Sequence, residues 1–283
     1  MNVVDVMTPR SEVVTAEVPG TREDVLGYFQ ERGFSSVPVI RVDDGGEQFR
    51  GLVTRGSLIE HPDEDQLALL ARDVPTIGRS APLTELAELV LSSGERRVPV
   101  VEDGELVGMV TVTDVVRAIA EGEQNGDTAV GGLATREVNT VYHGTPLPVA
   151  ERELSHADVP YAVVLDDDGR QSGMLTEVDI VDVARVVQGE SDPGDAVANQ
   201  DDEWMWEGIK AVGSRSIPTL NVEIPSAAVS EFMTEQLVTV SGTKPARETA
   251  RLMISNDIEQ IPLLSGDELI GIVRDVDLLE ALV

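Results

Sequence analysis

Cysteine is absent from the chain, which excludes a disulfide framework, a thiolate metal site and a thiol nucleophile. Histidine is scarce, and His61, His143 and His156 show no metal-ligand spacing. No apolar run approaches the roughly 18 residues of a membrane span, and the opening MNVVDVMTPR lacks a signal-peptide pattern. A soluble, cytoplasmic protein with no membrane partner is therefore expected. Basic side chains are also few: 21 Lys and Arg face 52 Asp and Glu, only Lys210 and Lys244 are lysines, and the formal net charge is −31. Such a charge speaks against nonspecific binding to nucleic acid or to anionic lipid.

What the chain has instead is repetition. The stretch GMVTVTD at Gly108–Asp114 ends an apolar run and opens a helical pattern, DVVRAIAEG. The same spacing returns as GMLTEVD at Gly173–Asp179, as GIVRDVD at Gly271–Asp277 and, degenerate, as GLVTRGS at Gly51–Ser57. Four copies of one signature point to a repeat architecture. Thr15 to Pro38, Thr76 to Pro99 and Thr239 to Pro262 each span 23 residues, whereas Thr140 to Pro160 spans 20. From the proline to the motif glycine the distances are 13, 9, 13 and 9. The longer spacings fall in turn-rich stretches, Asp43–Gly46 and Asp166–Gly169, which read as hairpin loops.

Each unit reads as a short strand, an amphipathic helix (Leu83, Leu86, Leu89 and Val90 in the second), a strand with a central proline, a strand ending in the motif, and a closing helix. The proline cannot donate to a sheet ladder, so an edge or strand-start position is expected for its strand. At about 55 to 60 residues, one unit is small for independent stability, and pairing of one with two and three with four is expected. The polar stretch Ala120–Ala129 separates the pairs. The boundaries follow as 1–61, 68–122, 130–188 and 229–283. Between the last two, 189–228 reads as an acidic loop, a helix containing Trp204 and Trp206, and an extended linker. The tryptophans suit core or interface packing, with a ligand or partner surface as the alternative.

The motif has a chemistry of its own. Its glycine admits a ligand or a neighbouring strand without a Cβ in the way. Its threonine stands where a strand becomes a helix N-terminus, a place suited to phosphate. Three residues on, a carboxylate can accept two hydrogen bonds from a cis-diol such as ribose, worth roughly 1.5 to 3 kcal/mol each before desolvation. Thr-x-x-Asp at a helix start also approximates a capping box, and capping is an equal alternative for any single copy. Two features speak for a ligand: capping does not require the upstream glycine, and it does not explain Arg274 in place of threonine beside Asp277.

The strand, helix, proline strand, hairpin and closing G-h-x-T-x-x-D, four times over, resemble the CBS domain family, named for cystathionine β-synthase. The resemblance covers nearly the whole chain outside 188–228. It implies an α/β (α+β) fold of four CBS repeats, each a small sheet with two helices, paired into two pseudo-twofold Bateman modules. These would form a disc like that of the γ subunit of AMP-activated protein kinase. It further implies adenosine-containing ligands (AMP, ADP or ATP) in clefts between repeats, with S-adenosylmethionine or methylthioadenosine, ligands of some archaeal relatives, as the alternative. In the kinase γ subunit a basic residue three before the strand proline contacts phosphate. That position holds Arg96 in repeat two, but Ser35, Ala157 and Glu259 in the others, and Glu259 would repel a phosphate.

On this reading Thr111 with Asp114 and Thr176 with Asp179 are the best candidate sites. Arg274 could hold a phosphate beside Asp277. Thr54 faces Ser57 in place of an aspartate, so repeat one is expected empty or purely structural; Thr54, Thr76, Thr239 and Arg96 complete the candidate ligand contacts. The expected function is that of a non-catalytic sensor with no required cofactor and no metal, signalling in trans to an unknown protein target, as a monomeric disc or a homodimer. Because the repeats fill nearly all of these 283 residues, no catalytic domain is expected among them. The alternative is a scaffold whose clefts stay empty. Abundant Asp and Glu with almost no Lys resemble haloarchaeal proteins, in which carboxylates hold hydration at high salt, where the Debye length is only about 3 Å at 1 M.

Overall fold

A computed structural model describes the chain apart from residues 32, 33, 35, 44, 45, 55, 56, 59, 60, 62, 63, 158 and 189–219. The acidic loop, Trp204, Trp206, Ser35 and the Asp44–Gly45 hairpin tip lie outside the described residues. The rest forms four three-stranded sheets, one for each repeat, and a two-stranded ribbon, flanked by helices, and divides into two compact units. The first unit comprises Met1–Arg136, Thr239–Gly266 and Ile270–Val283; the second comprises Glu137–Val238 and Asp267–Leu269.

In the first unit, the first repeat is made of β1 (Thr8–Pro9), which pairs with the sheet of repeat two, β2 (Ala16–Val18), α1 (Arg22–Glu31), β3 (Ser36–Asp43) and β4 (Gly46–Thr54). A short helix α2 (Leu67–Leu70) leads to the second repeat: α3 (Leu83–Ser93), β5 (Arg97–Glu102), β6 (Glu105–Thr111) and α4 (Val112–Glu121). The second unit holds β7 (Thr140–Tyr142), α5 (Leu147–Ala157), β8 (Tyr161–Leu165), β9 (Gln171–Thr176) and α6 (Glu177–Val183). A two-stranded antiparallel ribbon follows, β10 (Arg185–Gln188) with β11 (Leu220–Glu223). The fourth repeat contributes β12 (Val240–Ser241), α7 (Ala246–Asn256), β13 (Gln260–Ser265), β14 (Glu268–Arg274) and a closing 3-10 helix, Val276–Leu282.

The proline strand proves to be central, not an edge. β3, β8 and β13 each lie between a parallel first strand and the motif strand. The missing N–H is harmless because the first strand begins pairing only after the proline. Its registers open at Ala16 opposite Val39 and at Val240 opposite Leu263, one residue beyond Pro38 and Pro262. In repeat two Ile77 N–H donates to the carbonyl of Pro99, at 3.1 Å, which needs only the acceptor that proline keeps.

Each repeat is completed by the leader of the repeat it pairs with. Val3, Leu67, Val130 and Val229 each show 0% exposure. Their N–H groups donate to Ala81, Gly20, Lys244 and Thr145 respectively, at 2.8 to 3.0 Å, each acceptor standing just before the first helix of the paired repeat. Leu67 and Leu70 thus join Val25, Phe29, Val37, Val39 and Val53 in the core of repeat one, and Val229 joins Leu147, Ala150, Val164 and Leu175 in that of repeat three. Full burial of one such side chain contributes about 1.5–3 kcal/mol, so a repeat stripped of its partner's leader loses part of its own core.

The second helix of repeat two has a further neighbour. Along α4, Val112, Val115, Val116 and Ile119 form the stripe that meets a core, but Ala118 and Ala120 are buried as well. The small residues accommodate α7 of repeat four, which packs against α4, and Arg251 Nε donates to the carbonyl of Ala120 at 2.7 Å across this junction.

Candidate functional site

The four motif strands end on the same construction. In β4, β6 and β9 the register shifts just before the motif glycine, a bulge that turns the chain toward the incoming leader. The next residue then exchanges two backbone hydrogen bonds with that leader in three of the copies: Leu52 with Arg72, Met174 with Thr234 and Ile272 with Thr135, all at 2.9 to 3.0 Å. In the remaining copy Met109 pairs with Thr8. A Cβ on the glycine would lie 2.5 Å from the Arg72 carbonyl oxygen at Gly51, 2.6 Å from that of Thr8 at Gly108 and 2.8 Å from that of Thr135 at Gly271. At Gly173 it would meet Met233 Sδ at 2.5 Å and the Thr234 oxygen at 3.0 Å. The glycine therefore serves the approach of a neighbouring strand.

At the helix start the capping geometry is formed. Asp114 Oδ2 accepts from Thr111 N–H (2.9 Å) and Thr111 Oγ1 (2.8 Å), while Asp114 N–H points back to Thr111 Oγ1 (3.3 Å). Asp179 repeats this with Thr176, at 2.8, 2.7 and 3.4 Å. In repeat one Ser57 Oγ accepts from Thr54 N–H at 2.8 Å and donates to the Thr54 carbonyl at 2.9 Å, and Ser57 is buried. The first argument from sequence against capping falls, because the glycine belongs to the strand approach. In repeat four only half of the box remains, Arg274 N–H donating to Asp277 Oδ2 at 2.8 Å, and the closing 3-10 helix is capped by Asp275, whose Oδ1 accepts from Val276 N–H at 2.7 Å.

The copies differ in what capping leaves free. Oδ1 of Asp114 and of Asp179 has no hydrogen-bond partner among the described residues, and both side chains are half-buried. Asp277 is 3% exposed, and its Oδ1 takes Arg274 Nε at 3.0 Å and Nη2 at 2.5 Å. The guanidinium that the sequence offered to a phosphate is thus engaged by its own motif carboxylate.

Arg96 is likewise engaged. Its carbonyl accepts from Val112 N–H at 3.0 Å, which sets it beside the start of α4, and Glu259 accepts from Asp275 N–H in the equivalent way at 2.7 Å. These equivalent positions of repeats two and four face each other, with Arg96 Nη2 3.0 Å from Glu259 Oε2. The Arg96 fork also meets Asp275, Nη1 to Oδ1 at 3.0 Å and Nη2 to Oδ2 at 2.7 Å. Burial opposes the Arg96 charge, but the hydrogen bonds and attraction of Asp275, joined by Glu259, raise its pKa above the ordinary value. Asp275 was not singled out in the sequence because its neighbour Asp277 fills the motif position. Thr76 and Thr239 stand just before Ile77 and β12, at the starts of their repeats, with Thr76 exposed and Thr239 half-buried. A cavity of about 100 Å³ between repeats two and four is lined by Thr113, Val116 and Arg117 on one side and Asp257, Glu259 and Asp275 on the other.

Comparison with known families matches the CBS domain at residues 3–64, 67–121, 130–185 and 229–283. The chain belongs to the CBS domain family. An uncharacterized conserved protein from Pyrococcus horikoshii shares its structure with a TM-score of 0.71 at 26% identity, each chain covered over 100% of its length. The MJ1225 protein of Methanocaldococcus jannaschii, described as a proposed archaeal homologue of g-AMPK, has a TM-score of 0.66 at 19% identity, with 99% of each chain covered, a likeness of fold. Among curated proteins, the uncharacterized MJ1404 of Methanocaldococcus jannaschii is 26% identical over 279 residues, 98% of this chain and 61% of that protein. The chain thus spans about three fifths of that relative's length. In CBS terms, the repeated Gly-x-x-Thr-x-x-Asp unites two tasks, admission of the paired repeat's leader and capping of the second helix.

Proposed function

We propose that this CBS protein is a non-catalytic regulatory sensor of an adenosine-containing ligand, taken up at the motifs of repeats two and three. The observation that carries this reading is the uncommitted Oδ1 of Asp114 and Asp179, next to an Oδ2 already fixed by the cap. A carboxylate held in place by its own helix is pre-organised to accept ribose hydroxyls, and its rotamer entropy is already lost before the ligand arrives. Repeat one, with Ser57, and repeat four, with Asp277 enclosed by Arg274, keep the cap and give up the acceptor. Ligand binding would shift the population between arrangements of the repeats, and a protein target in trans would read that shift.

Among adenosyl ligands, one observation favours those without a phosphate. Arg96, the phosphate-compatible position of repeat two, is already paired with Asp275 and Glu259, so an AMP or ATP phosphate has to compete with two carboxylates. S-adenosylmethionine and methylthioadenosine escape that competition. The test is the small molecule released from the purified, folded protein and identified by mass spectrometry, backed by thermal shifts with AMP, ATP and S-adenosylmethionine. An adenosine-bearing molecule and a rise in the midpoint are expected. Absence of both would leave the scaffold reading, in which the motif only caps.

A further inference from the structure

The groove between α4 of repeat two and α7 of repeat four has no task in the reading above. It is an open groove of about 560 Å³ lined by Arg117, Lys244 and Arg251, with Leu252 and Ser255 on α7 and the carboxylates Glu121 and Glu248. Neither Thr111 nor Asp114 lines it. Three cations in one groove stand out in a chain with 21 basic residues against 52 acidic ones.

Their engagement differs. Arg251 is fixed through Nε on the carbonyl of Ala120, which orients the guanidinium. Lys244 Nζ is 2.8 Å from Glu248 Oε2, an exposed pair of the kind that contributes little and is readily exchanged. Glu248, held below the usual carboxylate range by the hydrogen bond and charge of Lys244 and, more weakly, by the charge of Arg251, stays ionised, so that with Glu121 it leaves the three cations in a small excess of positive charge. Arg117 is exposed and forms no hydrogen bond or ion pair among the described residues, although Asp257, Glu259 and Asp275 line the adjoining cavity with it. Guanidinium groups bind phosphate oxygens through parallel N–H donors, and an ammonium adds a point charge.

We propose that this groove binds a compact polyanion of the diphosphate class, bridging α4 and α7 and tightening the junction between repeats two and four. The probe is inorganic pyrophosphate, titrated calorimetrically into the full chain at fixed ionic strength, with thermal unfolding followed in parallel. Binding to the parent protein, with a midpoint that rises with pyrophosphate concentration, is expected. Arg117→Gln combined with Arg251→Gln should weaken binding by roughly tenfold or more, in line with the loss of charge-assisted bonds. Lys244→Gln, which removes only an exposed ion pair, should weaken it several-fold and keeps the test open should the double variant fail to fold. Asp179→Ala, in a repeat that contributes no residue to the groove, should leave it unchanged, which separates this site from the adenosyl motifs. No binding to the parent protein, an unchanged affinity in Lys244→Gln, or a loss caused by Asp179→Ala would overturn the proposal.

Discussion

Arg96 and Asp275, 179 residues apart in sequence, form a two-pronged ion pair that joins repeat two to repeat four. Asp275 has 5% of its side chain exposed and Arg96 has 38%, so one partner is buried and the other reaches water. Arg96→Ala leaves the aspartate without its counter-charge. A loss of about 2 kcal/mol is expected, below the 3–5 kcal/mol of a fully buried pair, because Arg96 is itself partly exposed and Val276 N–H still bonds the carboxylate. Urea unfolding of the two single variants and of Arg96→Ala with Asp275→Ala should return a coupling of about 1–3 kcal/mol. Additive losses would show that the pair does not hold the repeats.

The motif glycines should not tolerate substitution equally. Gly51 has φ +137 and a backbone oxygen in the way, so Gly51→Ala meets both strain and a clash that no side chain can relieve. Gly173 has as its closest obstacle a methionine sulfur, the movable end of Met233. Gly51→Ala is expected to cost about 2 kcal/mol or more and Gly173→Ala about 1 kcal/mol, by chemical denaturation.

The spacing of glycine, threonine and aspartate made the four repeats legible, since both the helix cap and the bulged strand end are set by residues within a few positions of one another. What the glycine admits was not legible. Arg72, Thr8, Thr135 and Thr234 reach it from the paired repeat, and nothing local in their sequence marks the destination. The same limit applied to Arg96 and Arg274: a guanidinium suited to phosphate is equally suited to a carboxylate, and only the fold brings Asp275 and Asp277 within reach. Of the two positions expected for the proline, the edge fails and the strand start fits, since Pro38 and Pro262 lie near the starts of β3 and β13, and the missing N–H counts only where a neighbour asks for it, which the first strand starts one residue too late to do.

Acid should release a small exposed cluster in repeat three. Tyr142 Oη donates to Asp167 Oδ1 at 2.6 Å and His143 Nε2 lies 3.2 Å from the same oxygen, and these two, Tyr142 first, hold the Asp167 carboxyl below its ordinary range. A depressed folded-state pKa contributes stability above the unfolded value of about 3.9, and this is lost as pH falls through the folded value. NMR titration should place the Asp167 midpoint below that of an unperturbed aspartate, and Tyr142→Phe should move it upward. No movement in Tyr142→Phe would assign the shift elsewhere.

Removing a motif carboxylate should have two separable effects. Asp114→Ala and Asp179→Ala each lose a helix cap, at about 1 kcal/mol, visible in thermal or urea unfolding without any ligand. Thr54 and Ser57 already cap without a carboxylate, so Ser57→Ala should cost a similar amount and change no ligand affinity.

Calorimetric titration of AMP, ATP and S-adenosylmethionine into the parent protein, Asp114→Ala, Asp179→Ala and Asp277→Ala, in concentrated KCl, tests the central claim most directly. At least one ligand should bind the parent, the first two variants should each abolish or weaken by roughly tenfold the binding at their own site, and Asp277→Ala should bind as the parent does. No binding to the parent, or an equal loss in Asp277→Ala, would contradict the assignment of the free aspartate oxygens to a ribose.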